Sequence, residues 1–139
     1  MKIPFNKPLV FGNELENIRQ SLKNHKFSGD GEFTKKCNEI IEKKFNAKKV
    51  MLTTSCTHAL EMASMLIDLQ SGNEVICPSY TFPSTINSFV LRGAKPIFVD
   101  IREDTLNIDE NLIEEKITYR TKAIFPVHYG GVSCEMDKI

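Results

Sequence analysis

The chain has 139 residues, 41% of them hydrophobic and 26% charged, the profile of one soluble globular unit with its own core. Its 18 Lys and Arg balance its 18 Asp and Glu, so no net field draws it to nucleic acid or to an anionic membrane. Apolar runs stay far below the ~20 residues that span a bilayer, and "MKIPFNKPLV" lacks a signal peptide's apolar core, which predicts a cytoplasmic location.

The elements follow in chain order. "NELENIRQSLKN" and "FTKKCNEIIEKKFN" predict amphipathic helices, with Leu15, Ile18 and Leu22 on one apolar stripe and Phe33, Cys37, Ile40 and Ile41 on the other. Between them the glycines of "HKFSGDGE" mark a turn or loop. From residue 49 onward the pattern changes. Four β-branched or apolar runs, "KVMLT" (49–53), "EVICP" (74–78), "KPIFVD" (95–100) and "KAIFPV" (122–127), recur at about the spacing of a strand, a loop and a helix.

Helical patterns fill the gaps. "THALEMASMLIDL" places Ala59, Leu60, Ala63, Leu66 and Ile67 on one face, with Ser71-Gly72 as its stop. "PSTINSFVLRG" offers Pro83 in the first turn and Gly93 at the end, and "DENLIEEKI" opens on Asp109 as an N-cap. Alternating strand and helix predicts an α/β fold with a parallel sheet and crossover helices. The domain reading is a helical segment over 1–48 and an α/β region over 49–139. The cysteines Cys37, Cys56, Cys77 and Cys134 form no C-x-x-C pair, which reads as reduced thiols without a metal or disulfide site.

In open parallel sheets ligands bind beyond the carboxyl ends of the strands. The chemically distinctive residues fall there: "TTSCT" after the first run, "PSYTFPST" after the second, Asp100 at the end of the third and "HYGG" after the fourth. Ser55, Cys56 and Thr57 would set backbone N–H groups and hydroxyls at a helix N-terminus, either as an anion site suited to phosphate or as an ordinary Ser/Thr N-cap. Tyr80 and Phe82 supply aromatic rings on the same side, for stacking on a flat heterocycle or for core packing. His128 and Tyr129 read as structural groups of a strand end.

Together these segments resemble the DegT-type nucleotide-sugar aminotransferases of PLP-dependent fold type I. The resemblance rests on "IPFNKPLVFGNELE", "GDGEFTKKC", "LTTSCTHALEMA", "GNEVICPSYTFPSTINSFVLRGAKPIFVDI", "DTLNIDE" and "PVHYGGVSCEMD", in that order. It implies the N-terminal part of the three-layer α/β/α, mainly parallel-sheet large domain of that fold. It also implies pyridoxal 5'-phosphate as cofactor. By position, Ser55, Cys56 and Thr57 hold its phosphate and Phe82 stacks on its ring; Cys56 stands where many relatives carry Gly or Ala, so a backbone contact is the safer role. Asn6, Gly29, Asp30 and Gly31 match segments near the substrate end of the family's site.

The family reaction moves an amino group, usually from L-glutamate, to the keto carbon of a nucleotide-linked sugar, in enzymes that work as homodimers. The resemblance points to a dTDP-linked 4-keto-6-deoxy hexose and to cell-surface polysaccharide, enterobacterial common antigen in particular. A lysine holds the cofactor as a Schiff base and moves the proton, and an aspartate pairs with the pyridine nitrogen. Neither has a match here, and Lys122 and Lys138 do not align with the family lysine. The expectation is therefore a front end cut from a longer enzyme, with no catalytic residue and no turnover of its own. Two other readings remain: a non-catalytic phosphate- or nucleotide-binding fragment that associates with a full-length partner, and a small flavodoxin-like or dinucleotide-binding protein, against which the missing glycine-rich fingerprint argues.

Overall fold

A computed structural model describes residues 3, 4 and 6–139, which form two compact units divided between Leu52 and Thr53. In the first, α1 (Glu14–Lys23) and α2 (Glu32–Phe45) are the two expected helices. The Glu14 carboxylate caps α1 by accepting from the Phe11 and Gly12 N–H groups at 2.7 and 2.8 Å, which holds its carboxyl below the ordinary range, Phe11 contributing most. Asn46, left-handed at φ 51°, ends α2. Neither helix buries a residue, and Leu15, Ile18 and Leu22 stay more than half exposed.

The second unit is α/β. Strands β1 (Glu74–Pro78), β2 (Lys95–Val99) and β3 (Thr121–Ile124) form a parallel sheet in the order β2-β1-β3. Helices α3 (Cys56–Leu66) and α4 (Pro83–Val90) precede β1 and β2. Because strand side chains alternate, β1 feeds two cores. Val75 and Cys77 join Leu69, Phe89 and Ala94 on the helical face, where the Phe89 and Phe125 rings meet edge to face at 5.3 Å. Ile76 joins Val99, Ile108, Ile113 and Cys134 on the other. All five residues of β1 are buried, as a central parallel strand requires.

Buried Glu74 locks the start of this sheet. Its carboxylate accepts from the Thr118 hydroxyl at 2.6 Å and pairs with Arg120 at 2.8 Å, while its N–H donates to the Arg120 carbonyl at 2.9 Å. On the second face, Glu110 Oε1 meets both Arg102 and Lys138 at 3.0 Å.

Three expectations about elements need correction. Residues 49–53 form no strand: a strand exists through its ladder, and these have no ladder partner among the described residues, leaving Met51 and Leu52 about half exposed. Residues 109–117 form two 3₁₀ turns, Glu110–Leu112 and Glu114–Lys116, instead of one helix, with Ile113 between them set in the core beside Ile76 and Val99. Asp109 still caps the first turn, accepting from the Asn111 N–H at 3.0 Å. Finally, α3 stops before Ser71-Gly72. Asp68 turns left-handed at φ 52°, its N–H reaches the Met65 carbonyl and the Leu69 N–H reaches that of Ser64, a Schellman closure that drops Leu69 into the core.

Gly93 ends the α4 turn as expected. Its φ is +82°, and a Cβ there would lie 3.2 Å from the Ser71 backbone, so both conformation and space favour glycine.

Candidate functional site

Ser55 is the N-cap of α3. Its backbone is extended (φ −160°, ψ 162°), and its Oγ accepts from the His58 N–H at 3.2 Å. The cap therefore exists, yet it leaves donors uncommitted. Among the described residues nothing accepts the N–H groups of Cys56 and Thr57, and the Ser55 hydroxyl, already an acceptor, keeps its own proton to donate. These groups sit at the positive end of an eleven-residue helix.

The second loop meets this turn directly. The Thr57 hydroxyl donates to Ser84 Oγ at 3.1 Å, tying the first turn of α3 to the first turn of α4 and leaving the Ser84 proton free. Phe82 precedes Pro83 at the N-cap of α4, with 74% of its surface exposed. Tyr80 is 48% exposed, so neither ring is core. The structure thus brings Ser55, Cys56 and Thr57 to one cluster with Ser84, two residues from Phe82. Neutral hydroxyls, N–H groups at a helix end and an uncovered ring suit a flat heterocycle that carries a phosphate.

The neighbouring strand ends are tightly held. Asp100 Oδ1 accepts from the Ser79 hydroxyl at 3.1 Å and from the Ile101 N–H at 2.9 Å, bracing the loop after β1. His128 Nδ1 accepts from the Cys134 N–H at 3.0 Å, which puts the ring proton on Nε2 and makes this histidine a structural acceptor, as its position suggested. Buried Asn107 accepts from the Tyr129 N–H at 2.8 Å and donates to the Val132 carbonyl at 3.1 Å. The Tyr129 hydroxyl then meets that of Tyr80 at 3.1 Å, with ring centroids 5.2 Å apart.

A groove of about 410 Å³ runs along β3, lined by Leu60, Ala63, Ile124, Phe125, Pro126 and Val127 among others. It is apolar, and Cys56 is the one cluster residue it includes. Its lining offers no cluster of donors suited to a phosphate.

Asn6, Gly29, Asp30 and Gly31 lie in the first unit. Asn6 is exposed, and Phe5 of the "FNKP" segment lies outside the described residues. Asp30 is left-handed at φ 59°, its carbonyl accepting from Lys26 Nζ at 3.0 Å, and Gly31 is the N-cap of α2. A Cβ at Gly29 or Gly31 would meet nothing within 4 Å, so no contact within this chain demands glycine there.

Sequence reasoning passed over Ser84 and Asn107. Ser84 sits in the quoted "PSYTFPST" and Asn107 in "DTLNIDE", but a hydroxyl bridge across 27 positions and a buried amide have no local signature.

Comparison with known proteins places this geometry among relatives. The family described as DegT/DnrJ/EryC1/StrS aminotransferase matches residues 10–139. The spore coat polysaccharide biosynthesis protein SpsC of Bacillus subtilis is 38% identical over 141 residues, covering 99% of this chain and 35% of its own length. The crystal structure of NtdA from Bacillus subtilis with bound cofactor PMP superposes with a TM-score of 0.84 at 34% identity, covering 90% of this chain and 28% of its own. The Escherichia coli GDP-4-keto-6-deoxy-D-mannose-3-dehydratase with bound hydrated PLP reaches 0.90 at 26% identity, covering 99% and 36%. The chain thus spans about a third of the length of the relatives it matches.

Proposed function

This chain belongs to the DegT/DnrJ/EryC1/StrS aminotransferase family, and from that premise we propose that it forms the phosphate-holding part of a pyridoxal-phosphate site for nucleotide-sugar transamination. The observation that carries the reading is the Thr57–Ser84 bridge, which brings two helix N-termini together beside the exposed Phe82. The N–H groups of Cys56 and Thr57 and the hydroxyls of Ser55 and Ser84 would hold the phosphate, and Phe82 would cover the ring. When bound, the cofactor supplies an electron sink for bond changes at the amino-bearing carbon. The chain's own share is binding and orientation.

The proposed substrate is a dTDP-linked 4-keto-6-deoxy hexose, with glutamate as the amino donor, in cytoplasmic synthesis of cell-surface polysaccharide such as enterobacterial common antigen. SpsC, a polysaccharide biosynthesis protein by name, supports the pathway class. Asn6, Gly29, Asp30 and Gly31 are the proposed sugar-nucleotide contacts. The uncovered stripe of Leu15, Ile18 and Leu22 supports assembly as a homodimer. No helix among the described residues is long and apolar enough to cross a membrane.

Binding without turnover is the expected behaviour of these 139 residues, since they hold no match for the family's lysine or aspartate. Purified chain, with its mass verified, would be incubated with pyridoxal phosphate, glutamate and the dTDP-keto-sugar. Retained cofactor and no amino sugar is the expected result, and glutamate-dependent amino sugar would contradict the assignment of catalysis elsewhere.

A further inference from the structure

The best-built feature that the phosphate site leaves unused is the tyrosine pair. Tyr80 follows β1 and Tyr129 follows β3, two adjacent parallel strands, so both rings stand at the carboxyl end of the sheet. Their hydroxyls meet at 3.1 Å.

Burial does not force this contact. Tyr80 is 48% and Tyr129 37% exposed, so water could satisfy either phenol. What fixes it is the backbone beneath. Asn107, 2% exposed, holds the Tyr129 N–H, while the Ser79 N–H donates to the Val99 carbonyl at 2.8 Å and its hydroxyl to Asp100. Two half-exposed phenols are thus set at a defined separation by loops whose backbones are pinned to the buried Asn107 and Val99.

The chemistry of the pair is also specific. One phenol donates to the other, which leaves one free O–H donor and unused lone pairs facing outward. The Tyr80 contact pushes the Tyr129 phenol up from its ordinary value, so that phenol stays a neutral O–H at physiological pH. A neutral donor and acceptor beside aromatic faces is a poor match for phosphate and a good one for a hexose, which offers adjacent oxygens on an apolar ring.

Resting on the cofactor reading above, we propose that the Tyr80–Tyr129 hydroxyl pair is a specificity element that reads the hexose of the nucleotide-sugar substrate, its oxygens hydrogen-bonded by the outward-facing phenols. Tyr119 is the internal control. It lies at the opposite end of β3, 93% exposed with Arg120 over its ring, and has no part in the pair.

The test is calorimetric titration of the 139-residue chain and its Tyr80→Phe, Tyr129→Phe and Tyr119→Phe variants with dTDP-glucose, with dTDP and with pyridoxamine 5'-phosphate. The expected result is about tenfold weaker binding of dTDP-glucose in the first two variants, the worth of one net hydrogen bond, with dTDP and pyridoxamine phosphate unchanged and Tyr119→Phe silent. Equal losses for dTDP and dTDP-glucose would show a mere clip between loops and overturn the proposal. So would unchanged affinity in both variants, or no binding of dTDP-glucose by the parent chain. Tyrosine-dependent binding of dTDP-glucose without binding of pyridoxamine phosphate would retain this proposal and reject the cofactor reading.

Discussion

Thr57 and Ser84, 27 residues apart, share a hydroxyl hydrogen bond of 3.1 Å that joins the N-termini of α3 and α4. Thr57→Val keeps the shape of the side chain and removes the donor. The expected result is a roughly five- to tenfold loss in affinity for pyridoxamine phosphate, because the two turns lose their common anchor. Equilibrium dialysis reads it; unchanged affinity would mean that the bridge plays no part in the site.

Ser55 couples stability to binding. As N-cap its hydroxyl accepts from the His58 N–H, so Ser55→Ala should cost about 1 kcal/mol in denaturant unfolding and also weaken phosphate binding. Ser55→Gly should recover most of the stability and none of the lost donor. If binding recovers with stability, the hydroxyl serves only the helix.

Thiol chemistry separates surface from core. Cys37 and Cys56 are exposed, Cys77 and Cys134 buried, and burial pushes the Cys77 thiol up to about 12. A colorimetric disulfide reagent should therefore label two thiols quickly in the native chain and the other two only after denaturation. Pyridoxamine phosphate should slow Cys56 and spare Cys37. Four fast thiols would mean that the sheet core is open in solution.

Acid should loosen the start of the sheet and the packing on its second face. Glu74 is held below the ordinary carboxylate range chiefly by the Thr118 hydroxyl, with Arg120 adding to it; Glu110 is held down chiefly by its own backbone N–H, then by Lys138. A depressed folded value means that the native state binds fewer protons than the unfolded one. The stabilisation is whole above the unfolded value near 4.5 and is lost as pH falls through the lower folded values. Denaturant midpoints should fall steeply on that acid limb, and Glu74→Gln should flatten it; an identical limb in the variant would contradict the assignment to Glu74.

The α/β pattern was legible because burial imposes it. The run "EVICP" is apolar enough to sit between two cores, and Pro83 and Gly93 punctuate α4 where residue chemistry requires it. The segment "KVMLT" also reads as a strand and forms none, since propensity supplies no ladder partner. The segment "DENLIEEKI" showed its cap but not its 3₁₀ geometry, which depends on Ile113 reaching the core formed by Ile76 and Val99. At the site, the N-cap pattern of Ser55 was readable from three adjacent residues. Its tie to Ser84, the Asn107 clamp and the Tyr80–Tyr129 pair join residues 22 to 49 positions apart and appear only when the sheet aligns its loops.

The most direct test of the account compares pyridoxamine 5'-phosphate with pyridoxamine in titrations of the purified chain. Neither compound carries an aldehyde, so surface lysines cannot capture it covalently, and the two differ only in the phosphate. The account predicts saturable binding of the phosphorylated form, competed by inorganic phosphate and weakened in Thr57→Val, with no measurable binding of pyridoxamine. Equal affinities, or no binding of either, would contradict the claim that the turn at Ser55, Cys56 and Thr57 is a phosphate cradle.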